Sequence, residues 1–162
     1  MCDILCMYYS RTGDTKKTME EIAQALDAEL VELNDDVKRD GVLGWLRCGM
    51  DAVRRTTEPL QPYETARPLS AYRLVIVGSP IWAGRCSSVV RSFLKTDGKK
   101  LNNVAYVLLR AGEGKQEEAF EQMDLYTSNP RVAGVSLRRD SVGYAFWLEE
   151  FLRQIREFLE QQ

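Results

Sequence analysis

The chain has 162 residues, of which 44% are hydrophobic and 28% are charged, and its formal net charge at pH 7 is −2. This composition predicts one globular domain with a sizeable core, and the near balance of charge argues against nucleic acid or an anionic membrane surface as a partner. The sequence has no apolar run near the roughly 20 residues of a membrane span and no signal-peptide pattern at its N-terminus, so we expect no membrane span and a cytoplasmic location.

Short apolar runs alternate with segments of helical periodicity along the chain. In chain order the predicted elements are a strand at 3–9, a helix at 15–27, a strand at 29–33, a helix at 43–54, a strand at 72–78, a helix at 87–95, a strand at 104–109, a helix at 117–126, a strand at 132–137 and a helix at 144–159. This alternation is typical of an α/β protein whose parallel sheet is covered by helices on both faces.

The apolar patterns of the predicted strands also indicate their order. Strands one, three and four are continuously apolar, as buried central strands are, whereas strands two and five alternate, as edge strands do. We therefore predict a three-layer, doubly wound, five-stranded parallel sheet in the order 2-1-3-4-5.

We predict a single domain over 1–162 with a helical insertion around 36–62, a segment that is long for a plain connection. Two interpretations of this segment stay open: a crossover helix with solvated arginines, or a flap or partner-docking element near the functional site. The segment is locally basic through Lys38, Arg39, Arg47, Arg54 and Arg55.

The four cysteines form no CxxC pair, and the chain has no histidine. We therefore expect free thiols and no metal site, and Ser-His or Cys-His nucleophilic catalysis is excluded. Cys86 is interpreted as a packing residue or, alternatively, as a redox-sensitive thiol.

The turn after the first strand, within MYYSRTGDTKKT at 7–18, concentrates hydroxyl groups and a glycine where the first helix begins. Ser10, Thr12 and Thr15 can donate hydrogen bonds, Gly13 permits close approach to the backbone, and the helix N-terminus attracts anions. The turn is therefore a candidate phosphate site or, alternatively, a hydroxyl-rich helix cap. It matches neither GxxxxGK[ST] nor GxGxxG.

Two more loops follow strands three and four, and parallel topology brings them to the same sheet edge. The first, GSPIWAGR at 78–85, is predicted to be a shaped loop with Trp82 at its tip. There the indole would form a platform for a flat aromatic ring, unless it folds back into the core. The second, RAGEGKQ at 110–116, offers unencumbered backbone at Ala111, Gly112 and Gly114.

Together these three stretches resemble the flavodoxin-like FMN proteins, in their short-chain form. SRTGDT at 10–15 is similar to the family's S/T-x-T-G-x-T phosphate loop, and GSPIWAGR is similar to its PIW-type loop after the third strand. The third loop lacks the tyrosine that many flavodoxins stack on the flavin, so Arg110 or Glu113 would serve there, or that face is open to a substrate.

The resemblance implies FMN as the cofactor and a set of cofactor-binding residues, with no catalytic residue and no metal ligand. The phosphate would lie among Ser10, Arg11, Thr12, Gly13, Asp14 and Thr15. The ribityl chain and one side of the flavin would contact Pro80, Ile81, Trp82, Ala83 and Gly84. The other side or the pyrimidine edge would contact Ala111, Gly112 and Glu113.

Three functions follow from the resemblance and stay open. The first is an electron-transfer protein that docks on a redox partner. The second is an FMN-dependent NAD(P)H:quinone-type oxidoreductase acting on a small-molecule electron acceptor, favoured by the missing tyrosine and the basic segment. The third is a binding module on the same fold without FMN, because fold alone does not specify function.

Overall fold

The computed structural model describes residues 3–35, 41–54, 59–114 and 116–162, and for 51–54 it describes only the backbone. The strands are β1 (Ile4–Tyr8), β2 (Glu29–Glu32), β3 (Leu74–Trp82), β4 (Arg85–Cys86), β5 (Val104–Leu109) and β6 (Ala133–Leu137). The helices are α1 (Asp14–Leu26), α2 (Gly41–Arg54), α3 (Ser88–Asp97), α4 (Glu117–Asp124) and α5 (Tyr144–Glu160).

Five parallel strands form the main sheet in the order β2-β1-β3-β5-β6. This is the predicted 2-1-3-4-5 order, since β5 and β6 are the fourth and fifth predicted strands. β2 and β6 lie at the edges, as their alternating patterns indicated. The order of the strands reverses between β1 and β3, and in doubly wound sheets a ligand crevice opens at that point.

Successive residues of the central strands point to opposite faces and fill two separate cores. In β1, Leu5 and Met7 pack into one core while Ile4, Cys6 and Tyr8 pack into the other. The first core is closed by α3 and α4, and the second by α1 and α5. Burial on both faces explains why the central strands are apolar at every position.

Helix α1 approaches the sheet closely at one glycine. A Cβ on Gly78 would lie 2.6 Å from the Met19 sulfur, so the helix packs at this depth because β3 has no side chain there. Gly78 is therefore a residue of β3 that seats the helix carrying the candidate phosphate turn, rather than a loop residue.

The interpretation of 78–85 as a loop with Trp82 at its tip is wrong. β3 continues to Trp82, and β4 pairs back on it through Ile81–Cys86 and Trp82–Arg85. The tip of this hairpin is Ala83–Gly84, whose φ angles of 49° and 77° are the two positive values that a two-residue primed turn requires.

The predicted helix of the 36–62 insertion is confirmed as α2, which begins two residues earlier than expected. Of the basic residues predicted there, Lys38, Arg39 and Arg55 lie outside the described residues, as does the Arg54 side chain.

None of the described helices is long and apolar enough to cross a membrane.

Candidate functional site

Two cavities lie next to each other at the carboxyl edge of the sheet, where strand order reverses. The smaller has a volume of about 160 Å³ and begins at the N-terminus of α1, and the larger has a volume of about 820 Å³. They share five lining residues, Trp45, Ile81, Trp82, Arg110 and Ala111, so they form one continuous crevice.

The smaller cavity is built on the turn between β1 and α1. Gly13 caps the helix with φ 101°, a left-handed conformation that favours glycine, and its N–H donates to the Ser10 hydroxyl at 3.0 Å. Thr12, Asp14 and Thr15 line the cavity. Ser10 thus closes the turn while the first turn of α1 faces the cavity with the partial positive charge of a helix N-terminus.

Three arginines make the smaller cavity basic. Arg11, Arg110 and Arg139 line it, against one carboxylate, Asp14. Arg139 is held in place by hydrogen bonds of 3.0 Å to Tyr144 and Glu21. Glu21 offsets part of the Arg139 charge, but the lining still carries more cationic than anionic side chains, which at a helix N-terminus favours an anionic group.

Arg110 lies where the two cavities join. Its Nη1 donates to the Gly112 carbonyl at 2.9 Å, which shapes the loop after β5. Its Nε is buried and has no hydrogen-bond partner among the described residues. An unpaired buried N–H is costly, so this donor is suited to a ligand acceptor.

The larger cavity has mostly apolar walls from three elements. α2 contributes one wall, the β3–β4 hairpin the second, and the loop after β5 the third. The lining residues outside the shared set are Leu46, Cys48, Gly49, Met50, Ala83, Gly84, Gly112, Glu113 and Gln116. A basic end joined to an apolar chamber suits a ligand with an anionic head and a flat apolar body.

The hairpin wall is rigidly attached to the fold. At its base the buried Ser79 hydroxyl accepts a hydrogen bond from the Ser87 N–H at 2.9 Å, and the Ser87 hydroxyl in turn caps α3. Near its tip, Arg85 donates to Gln122 of α4 at 2.7 Å. The hairpin is therefore a preformed wall of the crevice.

The Trp82 side chain is buried mainly in the core. Its side chain is only 7% exposed, and its ring meets the Tyr9 ring edge-on, with centroids 5.6 Å apart and an interplanar angle of 85°. The structure thus shows the second alternative left open by the sequence, in which the Trp82 indole folds back into the core. Part of the residue still lines both cavities.

The carboxylate of Glu113 is solvent-exposed and pairs with Arg138 at 2.5 Å. Positive charge from Arg138 therefore offsets the negative charge that Glu113 brings to the rim of the larger cavity. Exposed pairs of this kind contribute little to stability, so the pairing matters mainly for the local potential.

The structure brings most of the predicted cofactor-binding residues together. All of them line one cavity or both, except Ser10 and Gly13, which shape the turn beneath. Sequence reasoning missed Arg139 and Trp45. Arg139 lies two residues after the end of β6. Because the carboxyl ends of parallel strands meet at one edge of the sheet, this position indicates that Arg139 lies near the crevice. Trp45 had a weaker signal, its position on a helix for which a flap near the site was one of two open interpretations.

The thiols of Cys6 and Cys86 are expected to be unreactive in the native protein. Burial raises the pKa of Cys86 to about 11 and that of Cys6 to about 12, so both stay protonated at pH 8. With labelling assigned to each cysteine by peptide mapping, we expect Cys6 and Cys86 to react with a thiol-specific disulfide reagent at pH 8 only as fast as the protein unfolds. Rapid labelling of Cys86 by peptide mapping, slowed by an added ligand, would instead favour a redox-sensitive thiol.

No protein-family model and no curated protein matches the chain at a significant level. Solved structures do match it. A flavoprotein from Lactobacillus acidophilus in complex with FMN is 24% identical, covers 91% of this chain and 99% of its own, and superposes with a TM-score of 0.67. A candidate flavoprotein from Bacteroides uniformis is 21% identical, with coverages of 96% and 98% and a TM-score of 0.73.

A flavodoxin from the domain Archaea is 14% identical, with coverages of 98% and 97% and a TM-score of 0.53. Identities this low establish the fold alone. Together with the strand order, they show that the chain has the flavodoxin-like fold predicted from its three loops.

Proposed function

We propose that the chain binds FMN in the crevice and works as a redox flavoprotein that transfers electrons to a partner. The observation that carries this proposal is the continuity of the two cavities. A small basic cavity at a helix N-terminus opens into an apolar chamber at the switch point of a flavodoxin-like sheet.

The smaller cavity fits the phosphate of FMN. The N–H groups of the first turn of α1, the hydroxyls of Thr12 and Thr15, and the guanidinium of Arg11 supply donors around one anion. Asp14 opposes an anion unless its carboxylate turns away, and the three arginines outweigh its charge. Similar structures include one crystallised with FMN, and that ligand is the one we propose here.

The larger cavity fits a flat ring system. Ala83 and Gly84 at the hairpin tip, and Ala111 and Gly112 after β5, let a ring approach two backbone segments closely. Leu46 and Met50 of α2 supply apolar contact from the third side. The unpaired Arg110 Nε lies between this chamber and the phosphate end, where it can donate to a polar edge of the ligand.

FMN, when bound, supplies the redox chemistry. The residues of this chain hold it, exclude water and set the charge around it. Arg110 places positive charge at the cavity, which favours a ligand that takes up electrons. The pairing of Glu113 with Arg138 reduces the opposing effect of that carboxylate.

Transfer to a protein partner is the main candidate because α2 presents large exposed apolar side chains beside the crevice. Val42 and Leu43 are largely exposed on it, and patches of this kind mark interaction surfaces. A second candidate is an NAD(P)H-dependent oxidoreductase with a quinone-type acceptor. The volume of the larger cavity favours it, since that volume suits an additional aromatic ligand beside the flavin ring.

We expect the purified chain to retain FMN in a 1:1 ratio after free flavin is removed by gel filtration. Anaerobic titration with dithionite, followed by visible absorbance, would show two successive one-electron steps for a carrier. Reduction in a single two-electron step by NADH or NADPH would favour the oxidoreductase. Absence of retained flavin would contradict the proposal and leave a flavin-free binding module as the interpretation.

A further inference from the structure

We infer that Trp45, on the first turns of α2, is the residue that stacks on the flavin ring, in the role that the sequence suggested for Trp82. The inference rests on the proposed binding of FMN. Trp45 lines both cavities, so it lies beside the path from the phosphate end to the ring chamber. Its side chain is 64% exposed, which leaves a large aromatic surface available to a ligand.

Trp82 has little surface left for this role. It is 7% exposed and held edge-on against Tyr9 inside the core, and the hairpin that carries it is fixed at both ends. Turning its indole onto a ligand would break that packing. Trp45 can cover a ring without such a cost, and doing so buries apolar surface that is otherwise in water.

The position of Trp45 is coupled to the phosphate turn. Arg11 Nη2 donates to the carbonyl of Gly41 at 3.0 Å, and Gly41 is the first residue of α2, one helical turn before Trp45. Three residues further along, and so on the same side of the helix as Trp45, Cys48 is buried against the core. The turn that holds the anion thus also holds the start of the helix that presents the indole.

The test compares three variants with the parent by equilibrium titration of FMN. Since stacking on an aromatic side chain is worth a large factor in affinity, W45L should bind FMN roughly 10-fold or more weakly than the parent. W45F should recover most of this loss, because it keeps an aromatic face. W147L is the matched control, since Trp147 is 53% exposed on α5 and lines neither cavity.

A second readout is the fluorescence of bound FMN at saturation, because an indole in contact with a flavin quenches its emission. We expect strong quenching in the parent and in W147L, and a clear gain of emission in W45L. Melting curves without FMN should be alike, because Trp45 is exposed. Equal affinity and equal quenching in W45L and the parent would overturn the role of Trp45 while leaving FMN binding intact. Failure of the parent itself to bind FMN would overturn both.

Discussion

Riboflavin should bind at least ~100-fold more weakly than FMN, although the two ligands share the ring system and the ribityl chain. Riboflavin lacks the phosphate, so it leaves the donors of the smaller cavity without an anion. A hydrogen bond to a charged group contributes about 1.5–3 kcal/mol, and each 1.4 kcal/mol is tenfold in affinity. Two such bonds already account for that factor. Quenching titrations of both flavins against the same protein measure it directly.

Thr15 provides the matched variant for this comparison. It is a buried residue of the first turn of α1 and lines the smaller cavity, and Val has nearly the same shape without the hydroxyl. T15V should therefore weaken FMN binding about tenfold and leave riboflavin binding unchanged. Equal affinities of the parent for the two flavins, or an equal loss for both in T15V, would place the phosphate elsewhere.

The architecture was predictable because its determinants are local and repeated along the chain. Continuous apolar runs such as the one in β5 arise from burial on both faces, and the helical stripe of α5 arises from burial on one. The candidate phosphate turn was predictable for the same reason, since a helix start with Ser10 and Gly13 is encoded by adjacent residues.

The ring chamber was less predictable because it depends on contacts between distant segments. Nothing within 78–85 distinguishes an indole at a loop tip from one at a strand end. The partner that decides is Tyr9, more than seventy residues away. The turn at Ala83–Gly84 also lacks the Asn-Gly pair that usually signals a two-residue hairpin, so Ala83 adopts a positive φ without the residue type that favours it.

The place of Trp45 depends on how α2 lies over the crevice, which helical periodicity alone does not give. Periodicity identified the helix correctly. The Arg11–Gly41 hydrogen bond joins segments 30 residues apart, and no pattern in either segment predicts it.

Replacing Phe93 by alanine should lower the free energy of unfolding by about 3–5 kcal/mol, the usual cost of removing a buried aromatic ring. Phe93 is fully buried in α3, in the core between that helix and the sheet, and its ring packs edge-on against Tyr63 at 5.9 Å. For a chain of this size the loss corresponds to a fall in Tm of about 6–20 °C. Urea unfolding followed by circular dichroism measures the difference.

Leu125→Ala is the control, because that side chain is 77% exposed and its truncation should change stability by less than about 0.5 kcal/mol.

Phe93 also lies in the helix that Ser87 caps at the base of the hairpin, so removing its ring tests whether the core holds the hairpin wall of the crevice in place. Stabilisation by a bound ligand depends only on the ligand concentration and its affinity. If α3 keeps its fold around the cavity left by Phe93, saturating FMN should therefore raise the free energy of unfolding of F93A and of the parent by the same amount. A smaller gain in F93A would mean that packing beneath α3 holds the hairpin wall in its binding geometry.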